Sequence, residues 1–329
     1  MKRFLTLIFL LSCVKEELEV SGDIQVYFTR QDNVLSVLLS LINSSKKTLS
    51  IAMFEMDHPD IVRAIVEAKN RGVKVEMVMD ERMKEKWAYG RLKREGIRVV
   101  FDDREPFMHN KFVIIDSQIV ITGSANFKES CIYRNDNNVV IINSRALALN
   151  YLREFYEMFE DKKFGALSPR NTDCCFNLGN YRIEAYFAPE DDVVSRINEL
   201  IGLSRKEIKF AAFSFTDDKL ANAIIYASKR GVKVRGVIES KGTKNRGSEY
   251  NNFLRNGIEV LPDGNPYNMH SKYIIIDDSV VITGSYNFSR NAKEFNDENV
   301  LIIFSKEVAR KYSKNFDRIY DEAKRLNPL

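Results

Sequence analysis

Compact β-branched runs alternate with apolar stripes of helical period along most of the chain. Ile24–Phe28, Leu49–Phe54 and Val73–Met79 are short apolar runs that predict strands. Between them, positions 33–42 and 61–70 set apolar residues three and four apart, which predicts amphipathic helices. Phe112–Ile115 and Ile119–Thr122 flank Asp116, Ser117 and Gln118, a spacing that predicts a hairpin. Val139–Ile142 predicts another strand, and a helical period from Arg145 to about Glu160 closes the unit.

The whole pattern then returns. Tyr27-Phe28 recurs as Tyr186-Phe187, and RGVKV from Arg71 recurs from Arg230, both at an offset of 159. HNKFVIID from His109 returns as HSKYIIID from His270, and ITGSANF from Ile121 as ITGSYNF from Ile282, both at an offset of 161. Matches in one order at nearly one offset mark a duplication. The reading is an α/β chain of two homologous lobes, residues 22–163 and 181–329. Each is expected to hold a mixed, mostly parallel sheet flanked by helices. Residues 164–180 carry Pro, Gly, Ser and Asn with little periodicity and read as a linker. The second lobe is expected to end in a helix from about Glu307 to Arg325.

The N-terminus departs from this pattern. Lys2 and Arg3 precede an apolar run from Phe4 to Leu11, then Ser12 and Cys13, which is the layout of an export signal. The run is short of the ~20 apolar residues that span a bilayer. Leu10-Leu11-Ser12-Cys13 resembles a bacterial lipobox, so residues 1–13 are expected to direct export, with Cys13 as a lipid anchor. The expected location is the bacterial cell envelope or periplasm.

Composition narrows the picture only a little. The chain has 329 residues, 44% hydrophobic and 29% charged, which excludes disorder and a disulfide-dense scaffold. A net charge of +4 permits nucleic acid or anionic lipid as a partner and demands neither. The four cysteines show no CxxC spacing, which speaks against zinc. Cys131 could pair with Cys174 or Cys175 in an exported protein.

The candidate chemistry sits in the repeats. Of three histidines, His109 and His270 occupy equivalent positions, each followed two residues later by Lys111 or Lys272. Residues two apart on a strand face one side. Ser124 with Asn126, and Ser285 with Asn287, follow Gly123 and Gly284 in the same way. Each lobe thus offers an imidazole, an ammonium, a hydroxyl and an amide.

The pattern H-x-K-x4-D-x6-G-S-x-N appears at His109, Lys111, Asp116, Gly123, Ser124 and Asn126. It appears again at His270, Lys272, Asp277, Gly284, Ser285 and Asn287. The chain resembles the phospholipase D superfamily over nearly its whole length after the signal. The second lobe is especially similar to small bacterial endonucleases of that superfamily, through NFSRNAKEFNDEN from Asn287 to Asn299. The resemblance implies two lobes about a pseudo-twofold axis with one shared active site. One chain holding both motifs implies a monomer.

Residue chemistry suggests a route. One imidazole can attack phosphorus and form a phosphohistidine, while the other protonates the leaving oxygen and then activates water. The lysines, serines and asparagines would surround the phosphoryl oxygens. The scheme calls for no metal or other cofactor. Glu298, which in the similar nucleases orients the motif histidine, is expected beside His270, favouring His270 as imidazolium and His109 as nucleophile; its first-lobe equivalent is Asn137. Asp116 and Asp277 lie an odd number of residues from their histidines and read as turn-forming, structural residues. His58 reads as a loop residue, and Trp87 as part of a solvated helix.

Two substrate classes remain open. A phospholipid would suit an anchored enzyme, with Phe107-Met108 and Tyr267-Asn268-Met269 flanking the histidines. A nucleic acid would suit the basic loop of Lys241, Lys244 and Arg246.

Overall fold

The computed structural model describes residues 24–327, so the expected signal and Cys13 lie outside the described residues. The first lobe runs β1 (Ile24–Phe28), α1 (Val34–Ser44), β2 (Thr48–Met53), α2 (Pro59–Asn70), β3 (Lys74–Asp80), α3 (Trp87–Arg94), β4 (Arg98–Asp102) and β5 (Lys111–Ile115). It continues through β6 (Ile119–Gly123), α4 (Glu129–Tyr133), β7 (Asn138–Asn143) and α5 (Arg145–Phe159). The second runs β8 (Cys175–Leu178), β9 (Tyr181–Ala188), α6 (Val193–Leu203), β10 (Glu207–Ala212), α7 (Asp218–Lys229), β11 (Lys233–Ile238) and α8 (Tyr250–Arg255). It ends with β12 (Glu259–Pro262), β13 (Lys272–Ile276), β14 (Val280–Gly284), α9 (Arg290–Glu294), β15 (Glu298–Phe304) and α10 (Lys306–Leu326).

Caps recur with the repeat. Asn33 and Asp192 accept from Ser36 and Ser195 backbone N–H groups at the starts of α1 and α6. Ser144 and Ser305 do the same for α5 and α10. Such a cap is worth about 1 kcal/mol.

The first sheet is ordered β1-β7-β6-β5-β2-β3-β4, and the second repeats that order with β8 added at the edge beside β9. The expectation of mostly parallel sheets is corrected. Only β2–β3–β4 and β10–β11–β12 run parallel. The strands that carry the motifs lie in antiparallel runs, β5–β6–β7 and β13–β14–β15; the three-residue turns after β5 and β13 can join only antiparallel neighbours, and β7 and β15 return through the segments that hold α4 and α9. Within the expected linker, residues 175–178 form β8, hydrogen-bonded to β9. Within it Cys174 pairs with Cys175, while Cys131 is free and buried, so neither expected pairing of Cys131 forms.

Helices α1 to α3 and α6 to α8 cover the outer faces of the two sheets around separate apolar cores. The third core lies between the sheets and belongs to both lobes. It gathers Phe112, Tyr151 and Phe155 with Phe187, Tyr273, Tyr312 and Phe316. Tyr151 meets Phe187 edge-on at 5.0 Å, and Phe28 meets Tyr312 at 5.1 Å, so α5 and α10 each bind the other lobe. Strands buried on both faces explain the unbroken apolar runs of the sequence.

Candidate active site

The motif strands begin where the lobes meet. The N–H of His109 donates to the Asp297 carbonyl at 2.9 Å, and the N–H of His270 donates to the repeat-related Asp136 carbonyl, also at 2.9 Å. Met108 and Asp297 form one short parallel bridge, and Met269 and Asp136 the other. Each histidine is therefore pinned by the opposite lobe. The pins are themselves anchored: Arg30, Asn265 and Arg318 bind the Asp136 carboxylate, and Arg104 and the Gly165 N–H bind that of Asp297.

Glu298 follows Asp297 and crosses the same boundary. Its Oε2 lies 2.7 Å from His109 Nδ1, not beside His270. This corrects the sequence expectation. The motif histidine it orients is in the other lobe, because the bridge at Asp297 carries the chain to His109. A carboxylate only accepts, so Nδ1 holds the proton and Nε2 keeps its lone pair. Beside His270 stands Asn137, with Oδ1 at 2.9 Å from Nδ1. Asn137 Nδ2 donates to the Cys131 carbonyl at 3.0 Å, which fixes the amide so that Oδ1 accepts from the ring. One histidine thus has a carboxylate behind it and the other an amide.

The serines are also relocated. Ser285 donates to Glu298 Oε2 at 2.5 Å and accepts from the Asn299 N–H at 2.9 Å. Ser124 donates to Asn137 Oδ1 and accepts from the Asn138 N–H, both at 3.0 Å. Fully buried, they hold the groups that hold the histidines and do not line the cleft. The glycine before each serine is required by a close approach. Gly123 has φ of +135°, and a Cβ there would stand 2.3 Å from the Asn138 carbonyl oxygen; Gly284 repeats this against Asn299.

Lys111 and Lys272 are 1% exposed and pack behind their histidines. Their ammonium groups donate to the His109 and His270 carbonyls at 2.7 and 2.6 Å, and lie over the Phe54 and Phe213 rings. The same rings meet the imidazoles edge-on at 4.7 Å. Burial pushes the Lys111 ammonium down to about 8, with Glu298 opposing. Lys272 is pushed down by burial and by Lys111. Burial also lowers His109, to about 4, although Glu298 opposes it, and drives His270 down with help from Lys272 and Lys111. Burial works against the charge on Glu298, yet His109, Lys111 and Ser285 keep it below the ordinary carboxylate value.

His109 and His270 open into one cleft of about 400 Å³ with Asn126 and Asn287. Both asparagine Oδ1 atoms are buried with no protein partner. Phe54, Phe107, Phe213, Arg82, Lys128 and Asn268 complete the wall. Sequence reasoning named Phe107 and Asn268 but not Phe54, Phe213, Arg82 or Lys128, and for Asn137 the repeat offset was the available signal. Asp116 and Asp277 sit away from the cleft, each accepting three backbone N–H groups of the preceding strand entry. His58 is the residue before α2, buried with both ring nitrogens unpartnered. Trp87 is half exposed at the start of α3 and does not line the cleft.

Two interlocked lobes, each giving one histidine to a shared cleft with a lysine buried behind it, define a phospholipase D-type architecture. The family model described as cardiolipin synthase, PLD-like domain, matches residues 38–159 and again 197–320. The chain belongs to this phospholipase D-like family. It is 34% identical over 139 residues to a phospholipase D of Rickettsia conorii, covering 42% of this chain and 70% of that protein. It is 28% identical over 128 residues to the mitochondrial cardiolipin hydrolase of Chlamydomonas reinhardtii, covering 39% of this chain and 57% of that protein. A solved phosphatidylserine synthase of Haemophilus influenzae shares the fold, with a TM-score of 0.70 over 91% of this chain and 86% of that one, at 15% identity.

Proposed function

We propose that the protein hydrolyses phospholipids at the phosphodiester bond through a covalent phosphohistidine. The observation that carries this reading is the pairing of His109 and His270 in one cleft, each ring held at Nδ1 so that Nε2 is free for chemistry. His109 is the nucleophile. Attack through Nε2 makes its ring cationic, and Glu298 at Nδ1 stabilises that charge as it develops. The electron pair of the breaking P–O bond leaves with the head-group oxygen, which takes a proton from His270. Water, deprotonated by His270, then displaces His109 from phosphorus. The lone ring would be neutral, but a bound phosphodiester offsets the lysine charges that disfavour imidazolium at His270. Lys111 and Lys272 supply buried positive charge for the phosphoryl group, and the Nδ2 groups of Asn126 and Asn287, on the cleft wall, donate to its oxygens.

The lipid reading is supported by the names of the relatives and by the phenylalanines of the wall. A groove beside the cleft, lined by Pro106, Phe107 and Phe295 together with Glu105, Asn291 and Asn296, offers a partly apolar surface to an acyl chain. A nucleic-acid reading has one contact in its favour: Lys241 donates to Asn268, a cleft residue, at 3.5 Å. Export and anchoring through Cys13 would place the enzyme at a lipid surface.

The test offers the protein phosphatidylcholine, phosphatidylethanolamine and cardiolipin vesicles, and separately single- and double-stranded DNA, all in EDTA. Phosphatidic acid (or phosphatidylglycerol from cardiolipin) without DNA cleavage is expected. Trapping under alkaline conditions, where the P–N bond survives, followed by peptide mapping should find the phosphoryl group on His109 and none in His109→Asn. DNA cleavage without lipid turnover would replace the substrate, and a label on His270 would reverse the two histidines.

A further inference from the structure

Glu154 and Glu157 stand one turn apart on α5, and Glu190 lies in the turn between β9 and α6. One carboxylate oxygen from each lies within 4.8 Å of the other two. Glu154 is 1% exposed, yet neither of its oxygens has a partner. Both oxygens of Glu190 and Oε1 of Glu157 are also buried and unpartnered. Donors to the group are few among the described residues: Asn171 Nδ2 lies 3.0 Å from Glu157 Oε2, and the Ser168 hydroxyl and the Glu190 backbone N–H also favour the charged carboxylates. A buried carboxylate without donors is costly, and the cost grows with each like neighbour.

The duplication supplies an internal comparison. Glu154, Glu157 and Glu190 correspond to Asn315, Arg318 and Gln31. There Asn315 accepts from the Tyr273 hydroxyl at 2.9 Å, and Arg318 binds Asp136 and Glu322. Tyr273 corresponds to Phe112, which has no hydroxyl to give Glu154. Arg30, the other cation on Asp136, corresponds to Pro189. One copy of this junction is thus neutralised by two arginines, and the other has lost both while gaining three carboxylates. The surrounding charges do not restore balance. Arg104 is committed to Asp102 and Asp297 and Arg170 to Asp191, and the one cation that acts on Glu157, Lys163, also pairs with Asp161.

We propose that Glu154, Glu157 and Glu190 bind a hard divalent cation, calcium by preference, which joins the helix closing the first lobe to the turn opening the second. An all-carboxylate donor set selects calcium or magnesium over softer metals, and calcium tolerates the irregular geometry of three side chains from two elements. Glu190 is partly exposed, which leaves room for water to complete the coordination shell. The site is outside the catalytic cleft and takes no part in the phosphoryl transfer, so it stands whatever the substrate is.

The test uses the full chain, stripped with EDTA and dialysed, then titrated with calcium chloride or magnesium chloride by isothermal calorimetry and by thermal melting. One calcium per chain is expected, with the melting temperature rising by roughly 4 °C at a hundredfold excess over Kd. Glu154→Gln should abolish both signals. Glu190→Gln, at a less buried position, should weaken binding at least tenfold and guards against a folding defect in the first variant. No saturable calcium binding by the wild type, binding unchanged in Glu190→Gln, or a response to magnesium but not to calcium would each overturn the proposal.

Discussion

The two imidazoles are chemically unequal because of what stands at Nδ1, a carboxylate for His109 and an amide for His270. That inequality is testable by titration. The His109 ring, lowered to about 4, stays neutral and nucleophilic above that value, so kcat/KM should fall as pH drops through about 4. Lys111, lowered to about 8, loses its charge as pH rises, so kcat/KM should fall again above about 8. Asn137→Asp would set a carboxylate against His270 and should raise that imidazole pKa by about 1 to 3 units in ring-nitrogen NMR titrations. A pKa left in place would mean that Asn137 Oδ1 does not govern the ring. The histidines and lysines were legible in the sequence because each recurs at one offset. The partner of Glu298 was not, since an offset relates equivalent positions and says nothing about which lobe a side chain crosses into.

The aspartate that recurs in both motifs belongs to the elements. Asp116 follows β5 with φ of +53° and gathers the N–H groups of Lys46, Lys47 and Thr48, which lead into β2. Asp277 does the same for Arg205, Lys206 and Glu207. Charge-assisted bonds to a partly exposed backbone suggest that Asp116→Ala costs about 2 kcal/mol. A melting temperature lower by roughly 3 to 6 °C is expected, with kcat per folded molecule kept. A hundredfold loss of kcat at unchanged folding would instead place Asp116 in the chemistry. The odd spacing from His109 pointed to this role, and alternation along a strand is why it could be read. Strand direction was less legible, because a buried parallel strand and a buried antiparallel strand have the same apolar run.

At the scale of the molecule, the central core and the pins at Asp136 and Asp297 make the lobes interdependent. Neither can keep its histidine in place alone. Calorimetric unfolding should therefore show one transition, with the van't Hoff enthalpy equal to the calorimetric one. Two resolved transitions would show that the lobes hold their own structure. The duplication announced two lobes but not this dependence, since the shared core is built from apolar residues no different in kind from those of the outer cores.

Glu298 lies 189 residues beyond the ring it supports. At ordinary rates of synthesis, about 5 to 20 residues per second, His109 waits roughly 10 to 40 s for its carboxylate. Throughout that interval the nascent first lobe carries a nucleophile with no general acid and no oriented tautomer. A ribosome-bound chain is thereby inert toward the phosphodiesters around it, and competence arrives only when the second lobe closes on the first.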